Sequence, residues 1–202
     1  MYVDMTPSIS LCLVSFSGKK KAGKSFAAKI LEQQGFTRLS LAGPLKKVCA
    51  GLAGMSLERL ELVKDERFVV PLKTSKVHVS RELGIDVTGF DFPEFTSIRH
   101  MLQYIGTDVI RKVDAGWHVR RFEESLKNFT SIVVDDVRFR NELECIKKWG
   151  GTSVYIDTLE LDVESHISES SIFKEDTDFV IVNDRSLEFI EEAKSFAGPR
   201  TT

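Results

Sequence analysis

Residues 18 to 25 read Gly-Lys-Lys-Lys-Ala-Gly-Lys-Ser, and the segments on either side of them fix much of what the chain can become. The apolar run from Ile9 to Phe16 has the length and content of a buried strand, while Phe26 to Leu31 has helical spacing. A strand that feeds a glycine-rich turn at the start of a helix brings backbone amides together around an anion. Gly18 and Gly23 supply the turns, and the helix opening at Lys24 adds the positive end of its dipole. In such a loop the lysine reaches the β- and γ-phosphates and the hydroxyl of the next residue faces Mg²⁺. The pattern predicts a nucleoside triphosphate site contacted by Gly18, Lys21, Ala22, Gly23, Lys24, Ser25 and Phe26.

A chain of 202 residues with this apolar content suits one core and one globular domain, with room for a small inserted subdomain. The formal net charge of -2 supplies no global basic field, which disfavours a nucleic-acid substrate held by electrostatics alone. Cys12, Cys49 and Cys145 lie in apolar or helical segments without metal-ligand spacing, as reduced cysteines of a cytosolic protein do. The longest apolar run is far short of a membrane span, and the first residues lack the pattern of a signal peptide. A soluble, cytoplasmic protein is therefore expected; nothing in the sequence opposes a homodimer.

Strand and helix alternate along the chain. After the loop helix, which ends at Gly35, residues 36 to 42 read as a short strand, and Pro44 to Leu52 and Leu57 to Val63 as helices, the second capped by Ser56. Residues 66 to 97 mix Pro71, Gly84, Gly89 and Pro93 with β-branched pieces such as Lys76 to Val79, and are expected to be irregular. Helical spacing returns at Ile98, Met101, Leu102, Ile105 and Val109, and again from Trp117 to Leu126. Ser131 to Val134 is a strand ending in Asp135 and Asp136, Glu142 to Trp149 a helix stopped by Gly150, and residues 153 to 156 and 179 to 182 are further strands before a closing helix from Leu187. This order predicts an α/β fold: a mainly parallel sheet of about five strands with helices on both faces, binding its ligand at the carboxyl ends of the strands. The loop, the two aspartates and Asn183, a further candidate nucleotide contact, all fall at such ends.

The acid at a neighbouring strand end suits a second Mg²⁺-site group, so Ser25, Asp135 and Asp136 are the candidate metal residues. Arg138 and Arg140 follow at once, where a guanidinium can clamp a phosphoryl group whose charge spreads as it moves. Arg138, closer to the acid, is the stronger candidate, and Lys24, Asp136 and Arg138 form the expected catalytic set. A second cluster, Arg99, Gln103, Gly106, Thr107 and Arg111 with Trp117, offers the guanidinium, amide and backbone opening that a nucleoside monophosphate requires.

Ser17 to Ser25, Leu-Ala-Gly-Pro-Leu-Lys at 41 to 46, Arg99-x-x-Leu-Gln-x-x-Gly-Thr-Asp108, Asp136-Val-Arg-Phe-Arg-Asn-Glu142, His166-x-Ser-Glu169 and Val182-Asn-Asp184 together resemble the ordered motifs of bacteriophage deoxynucleoside monophosphate kinases. The first two also resemble animal phosphomevalonate kinase; the Leu-Gln-x-x-Gly-Thr and Asp-Val-Arg-Phe motifs favour the phage family. Gly43 stands where that family commonly has an acid, and Arg140 where it commonly has proline. The resemblance implies a three-layer P-loop kinase fold over residues 1 to 202, ATP with Mg²⁺ as donor, and a deoxynucleoside monophosphate as acceptor. It implies an acceptor-binding region over 43 to 128 that includes Lys46, Arg99, Gln103, Thr107, Arg111 and Trp117, and a lid over 138 to 150. His166 and Glu169 match a motif without an assigned role. The alternatives are a kinase of phosphomevalonate or of a hydroxymethylated base in phage DNA, and a nucleotide switch that acts on a partner.

Overall fold

A computed structural model of the chain describes residues 11–70, 74–158 and 171–198. They form two compact units, Met1–Ser40 with Glu123–Thr202, and Leu41–Phe122. Each has its own apolar cluster in place of the single core that length predicts, because the inserted segment carries enough helical apolar residues to bury a core itself.

In the first unit, β1 (Cys12–Ser17), β2 (Thr37–Leu39), β3 (Ser131–Val134), β4 (Thr152–Thr158) and β5 (Phe179–Asn183) make a parallel sheet in the order β2-β3-β1-β4-β5. The central strand is buried on both faces, which is why it reads as an unbroken run of apolar and small residues. Val14 and Phe16 point to one face and pack with Ala27, Ala28 and Leu31 of α1 (Lys24–Glu32) and with Phe189 and Ala193 of α9 (Leu187–Ser195). Phe16 also meets the ring of Phe196 edge-on at 6.3 Å. Each fully buried side chain of this size contributes about 1.5–3 kcal/mol. Leu13 faces the other way, towards α8 (Arg140–Lys148), which contacts β1 and β4 through a buried stripe that includes Leu143 and Ile146. Both faces are thus covered, as the alternation of strand and helix predicts. The expected lid at 138 to 150 is largely this helix, held on the sheet by its apolar stripe, so only Arg138 and Phe139 precede it as a short connecting segment.

The strand order puts the chain's change of direction at β1, with β3 on one side and β4 on the other. Ligand sites of open parallel sheets form at that point, outside the carboxyl ends of the strands. Ser17, Asp135, Thr158 and Asn183 all stand at or just beyond those ends.

The second unit is helical: α2 (Gly43–Leu52), α3 (Leu57–Val63), α4 (Lys76–Leu83), α5 (Ile98–Gln103), a π-helical run Tyr104–Ile110, α6 (Arg111–Val113) and the start of α7 (Trp117–Leu126). Ser56, Ser75 and Ser97 cap α3, α4 and α5, each hydroxyl accepting from a backbone N–H three residues on. The region expected to be irregular thus contains α4. Val77 and Val79 gave it a β-prone look, but Ser75 opens it, Gly84 closes it at φ 69°, and Val79 and Leu83, one turn apart, bury against the unit's core. Among the described residues the rest of that stretch is turn and irregular chain, with a bridge between Val70 and Phe95. The π-helical run widens the helix around Gly106, where a Cβ would stand 2.7 Å from Leu45 Cδ2 of α2. Among the described residues no helix is long and apolar enough to cross a membrane.

Trp117 is part of this core. Its ring is 3% exposed and its indole N–H donates to the Leu83 carbonyl at 2.7 Å, tying the first turn of α7 to the end of α4. Its polar atom is therefore already used and its ring enclosed, which leaves packing as the role seen here for a residue expected to touch substrate. Trp117→Phe keeps most of the packing and loses the bond, so it should lower unfolding free energy by about 1–2 kcal/mol, read as a shift of the urea midpoint, with acceptor KM unchanged.

Candidate active site

The loop after β1 is shaped by contacts that only glycine permits. Gly18 sits at φ 133°, and a Cβ on it would lie 2.3 Å from the Ile156 carbonyl oxygen of β4. Gly23, at φ 101°, precedes α1 with its α-carbon against the Asn183 amide group. Lys21 also adopts the left-handed region, at φ 64°. The result is a tight concave loop at the end of α1 where amides lack helical acceptors and the dipole favours negative charge.

Lys24 folds over this loop, its ammonium donating to the carbonyls of Gly18 and Lys19 at 2.7 and 2.6 Å. A cavity of about 110 Å³ opens beside it, lined by Ser17, Gly18, Lys20, Lys21, Lys24 and, from beyond β3, Arg138. The structure therefore brings Arg138, Lys21 and Lys24 together around one cavity. The backbone of Arg138 is fixed: Glu142 Oε2 accepts from its N–H at 2.9 Å and from that of Phe139 at 3.1 Å, and the Ser171 hydroxyl donates to its carbonyl at 2.6 Å. Arg140 points elsewhere and pairs with Asp176 at 2.9 Å on the surface. Such a pair contributes little to stability.

The two aspartates separate. Asp135, 8% exposed, accepts from the Ser25 hydroxyl at 2.6 Å, whereas Asp136 accepts from the Ser40 hydroxyl at 2.6 Å. Asp135, not Asp136, is the acid beside the loop serine. Successive residues leaving a strand point to opposite sides, so only one of a pair can face the loop. Asp135 also receives Arg38 of β2, whose Nε donates to Oδ1 at 3.0 Å and whose Nη2 donates to Oδ2. Partial burial lowers the basicity of Arg38, but Asp135, Glu32 and Asp136 more than offset it and raise its pKa above the ordinary value. Hard oxygen donors at the mouth of a phosphate loop fit Mg²⁺, which is commonly held by one or two protein oxygens together with phosphates.

Asn183 braces the loop, its amide donating to the Ala22 carbonyl at 2.9 Å while its oxygen accepts from Arg185 N–H at 3.0 Å. Next to it Phe26, half exposed, stacks on Phe189 with centroids 6.3 Å apart, and both line a cavity of about 260 Å³ with Arg185, Ser186 and Ile190. In the second unit, Arg99 and Gln103 lie one turn apart on α5, Gln103 and Thr107 are exposed, and Arg111 is half-buried. Arg99 pairs with Asp65, and Lys46 with Glu61 at 2.7 Å. Burial pushes the Glu61 carboxyl up, but hydrogen bonds from Lys46 and Lys64 outweigh it and hold the group below the usual range. His166 and Glu169 lie outside the described residues. Sequence reading missed Arg38, whose signal was a lone arginine in a short strand, and the bracing role of Glu142, which follows the N-terminal capping pattern of α8.

A Gly-Lys-Ser loop at the switch point of a parallel sheet, with an acid from the adjacent strand on its serine, defines a P-loop nucleotide-binding site. The deoxynucleotide monophosphate kinase family model matches residues 50–193, and the chain belongs to that family. It is an ATP-dependent phosphotransferase. It is similar to a protein of Acanthamoeba polyphaga mimivirus named as a deoxynucleotide monophosphate kinase, 29% identical over 195 residues that span 88% of this chain and 91% of that one. It is also similar to the deoxynucleotide monophosphate kinase of Escherichia phage RB69, 32% identical over 99 residues, 46% of this chain and 41% of the phage protein. Solved structures that align along most of the chain include TT1252 from Thermus thermophilus, at 16% identity, 92% and 95% coverage and a TM-score of 0.44. Another is the dephospho-CoA kinase from Campylobacter jejuni, at 16% identity, 91% and 94% coverage and a TM-score of 0.43.

The loop glycines yield an ordered prediction. Gly18→Ala would drive a methyl into a backbone carbonyl, whereas Gly23→Ala meets the end of a side chain. Both pay left-handed strain of about 1–3 kcal/mol, so both should lower the melting temperature, Gly18→Ala by clearly more, with ATP affinity by calorimetry falling in the same order.

Proposed function

We propose that the protein transfers the γ-phosphoryl group of MgATP to the 5′-phosphate of a deoxynucleoside monophosphate, giving ADP and the deoxynucleoside diphosphate. The observation that carries this reading is the clustering of Lys20, Lys21, Lys24 and Arg138 about one cavity at the loop, beside the Ser25 to Asp135 hydrogen bond. An ionised acceptor phosphate is already a nucleophile, so no general base is needed: its oxygen forms the new bond to the γ-phosphorus as the bridging bond to the β-phosphate breaks. What remains for the protein is alignment and neutralisation of charge.

Lys24 and the loop amides hold the triphosphate, and Arg138 meets the moving phosphoryl group. Ser25, with Asp135 behind it accepting from the serine hydroxyl, would hold Mg²⁺, which supplies charge neutralisation on the phosphate oxygens when bound. The cavity beside Phe26 and Phe189 suits the flat face of the nucleotide base. Lys46, Arg99, Gln103, Thr107 and Arg111 hold the acceptor.

Incubation with MgATP and a panel of deoxynucleotides, ribonucleotides, phosphomevalonate and hydroxymethyluracil DNA, with products separated by chromatography, tests the reading. Phosphorylation of deoxynucleoside monophosphates is expected; ATP hydrolysis without transfer to any of them would overturn it. Arg138→Ala should lower kcat and kcat/KM together by about a hundredfold or more, with ATP affinity nearly unchanged, because its contacts strengthen as charge spreads. Lysine should restore little, lacking the planar two-pronged donor. Gln103→Ala should raise acceptor KM and leave ATP KM alone; equal effects on both would place Gln103 in the scaffold.

A further inference from the structure

Asp135 has more partners than a metal ligand needs. Its carboxylate is almost enclosed, and both of its oxygens are engaged by one guanidinium: Arg38 Nε on Oδ1 at 3.0 Å and Arg38 Nη2 on Oδ2, which also accepts the Ser25 hydroxyl at 2.6 Å. Arg38 comes from β2, Asp135 from the end of β3 and Ser25 from the first turn of α1, so three elements meet in one chain of donors and acceptors. β2 and β3 pair in register, with Leu39 opposite Val134, which places Arg38 one residue back from the end of its strand, within reach of Asp135.

We infer that Arg38 is a positioning residue for the metal and phosphate site, acting through Asp135 on the direction of the Ser25 hydroxyl. The inference rests on the MgATP reading above. A carboxylate gripped at both oxygens by a guanidinium is fixed in rotation. Its Oδ2 accepts the hydrogen bond of the Ser25 hydroxyl, and the serine's lone pairs are then left for a cation on the loop side. The same grip makes Asp135 a poor direct ligand, since each oxygen already accepts a charged donor. Asp135 therefore serves the cation from behind Ser25, and Arg38 sets its angle. Lysine cannot reproduce this, because a single ammonium cannot span both oxygens in a plane. Glu32, 3.9 Å from Arg38 Nη1, steadies the far side of the guanidinium.

A positioning role of this kind predicts a specific defect. Calorimetric titration of ATP into the protein, once with Mg²⁺ and once with EDTA, measures how much the cation strengthens binding. In the wild type Mg²⁺ should tighten binding. Arg38→Ala should cut that enhancement about tenfold while affinity in EDTA stays within twofold, since Arg38 touches no loop amide in this structure. Arg38→Lys should behave nearly like Arg38→Ala. In an Asp135→Asn background, removal of Arg38 should change the enhancement no further, because the group it acts through has lost its charge. Thermal melts in EDTA identify any variant that has lost its fold, and Arg38→Gln, which keeps much of the side chain, replaces Arg38→Ala in that case. A wild-type response that survives in Arg38→Ala, or one lost additively with Asp135→Asn, would overturn the positioning role alone. A wild-type protein that binds ATP equally with and without Mg²⁺ would overturn the metal reading, and the role of Arg38 with it.

Discussion

The site exists because β1 is hydrogen-bonded on both sides and buried on both faces. A strand so placed cannot shift or twist away, and the chain leaving it must pass across the ends of β3 and β4. Gly18 meets that constraint by turning through a left-handed conformation against the Ile156 carbonyl, which no side chain would allow. The direction of α1, the placing of Ser25 opposite Asp135 and the closeness of Asn183 to the loop all follow from this turn. Rigidity of the scaffold is what lets flexible lysines be aimed.

Charge is distributed in a way that suits an anion. The loop mouth collects lysines and Arg138, while the neighbouring acids are already engaged: Asp135 by Arg38 and Ser25, Asp136 by Ser40, Asp176 by Arg140. Without such pairing the aspartates at the end of β3 would cancel part of the positive field that a triphosphate needs. Lys24, bent onto its own loop carbonyls, has a ready substitute for phosphate oxygens and exchanges one set of acceptors for another on binding. Less desolvation cost is then left for the nucleotide to overcome than if the ammonium stood fully hydrated.

Much of this was legible in the sequence where one local rule decides. Loop glycines, the apolar strand before them, Ser56 as a helix cap and Gly150 as a stop each act within a few residues, and the structure has them where the rules put them. Reading failed where the deciding contact is distant. Val77 and Val79 look like strand residues until Ser75 and Gly84 are seen to close two helical turns around them. Trp117 looks like a substrate platform until Leu83, 34 residues away, takes its N–H. Arg38 is an unremarkable surface arginine in sequence, and only the pairing of β2 with β3 brings it to Asp135.

Asp135 and Asp136 show the same limit at its smallest scale. Both are acidic, both follow the same strand, and composition cannot rank them. The pleat can: residues leaving a strand alternate sides, so one carboxylate must turn towards α1 and the other away from it. Which one turns inward depends on register, and register is set by β1, whose Ser15 lies opposite Val134. A shift of one residue in that pairing would exchange the two acids, putting Asp136 on Ser25 and Asp135 on Ser40, and would also move Ile132 and Val134 to the opposite face of the sheet. The apolar packing on both faces therefore selects the acid: the core decides which carboxylate meets the loop serine.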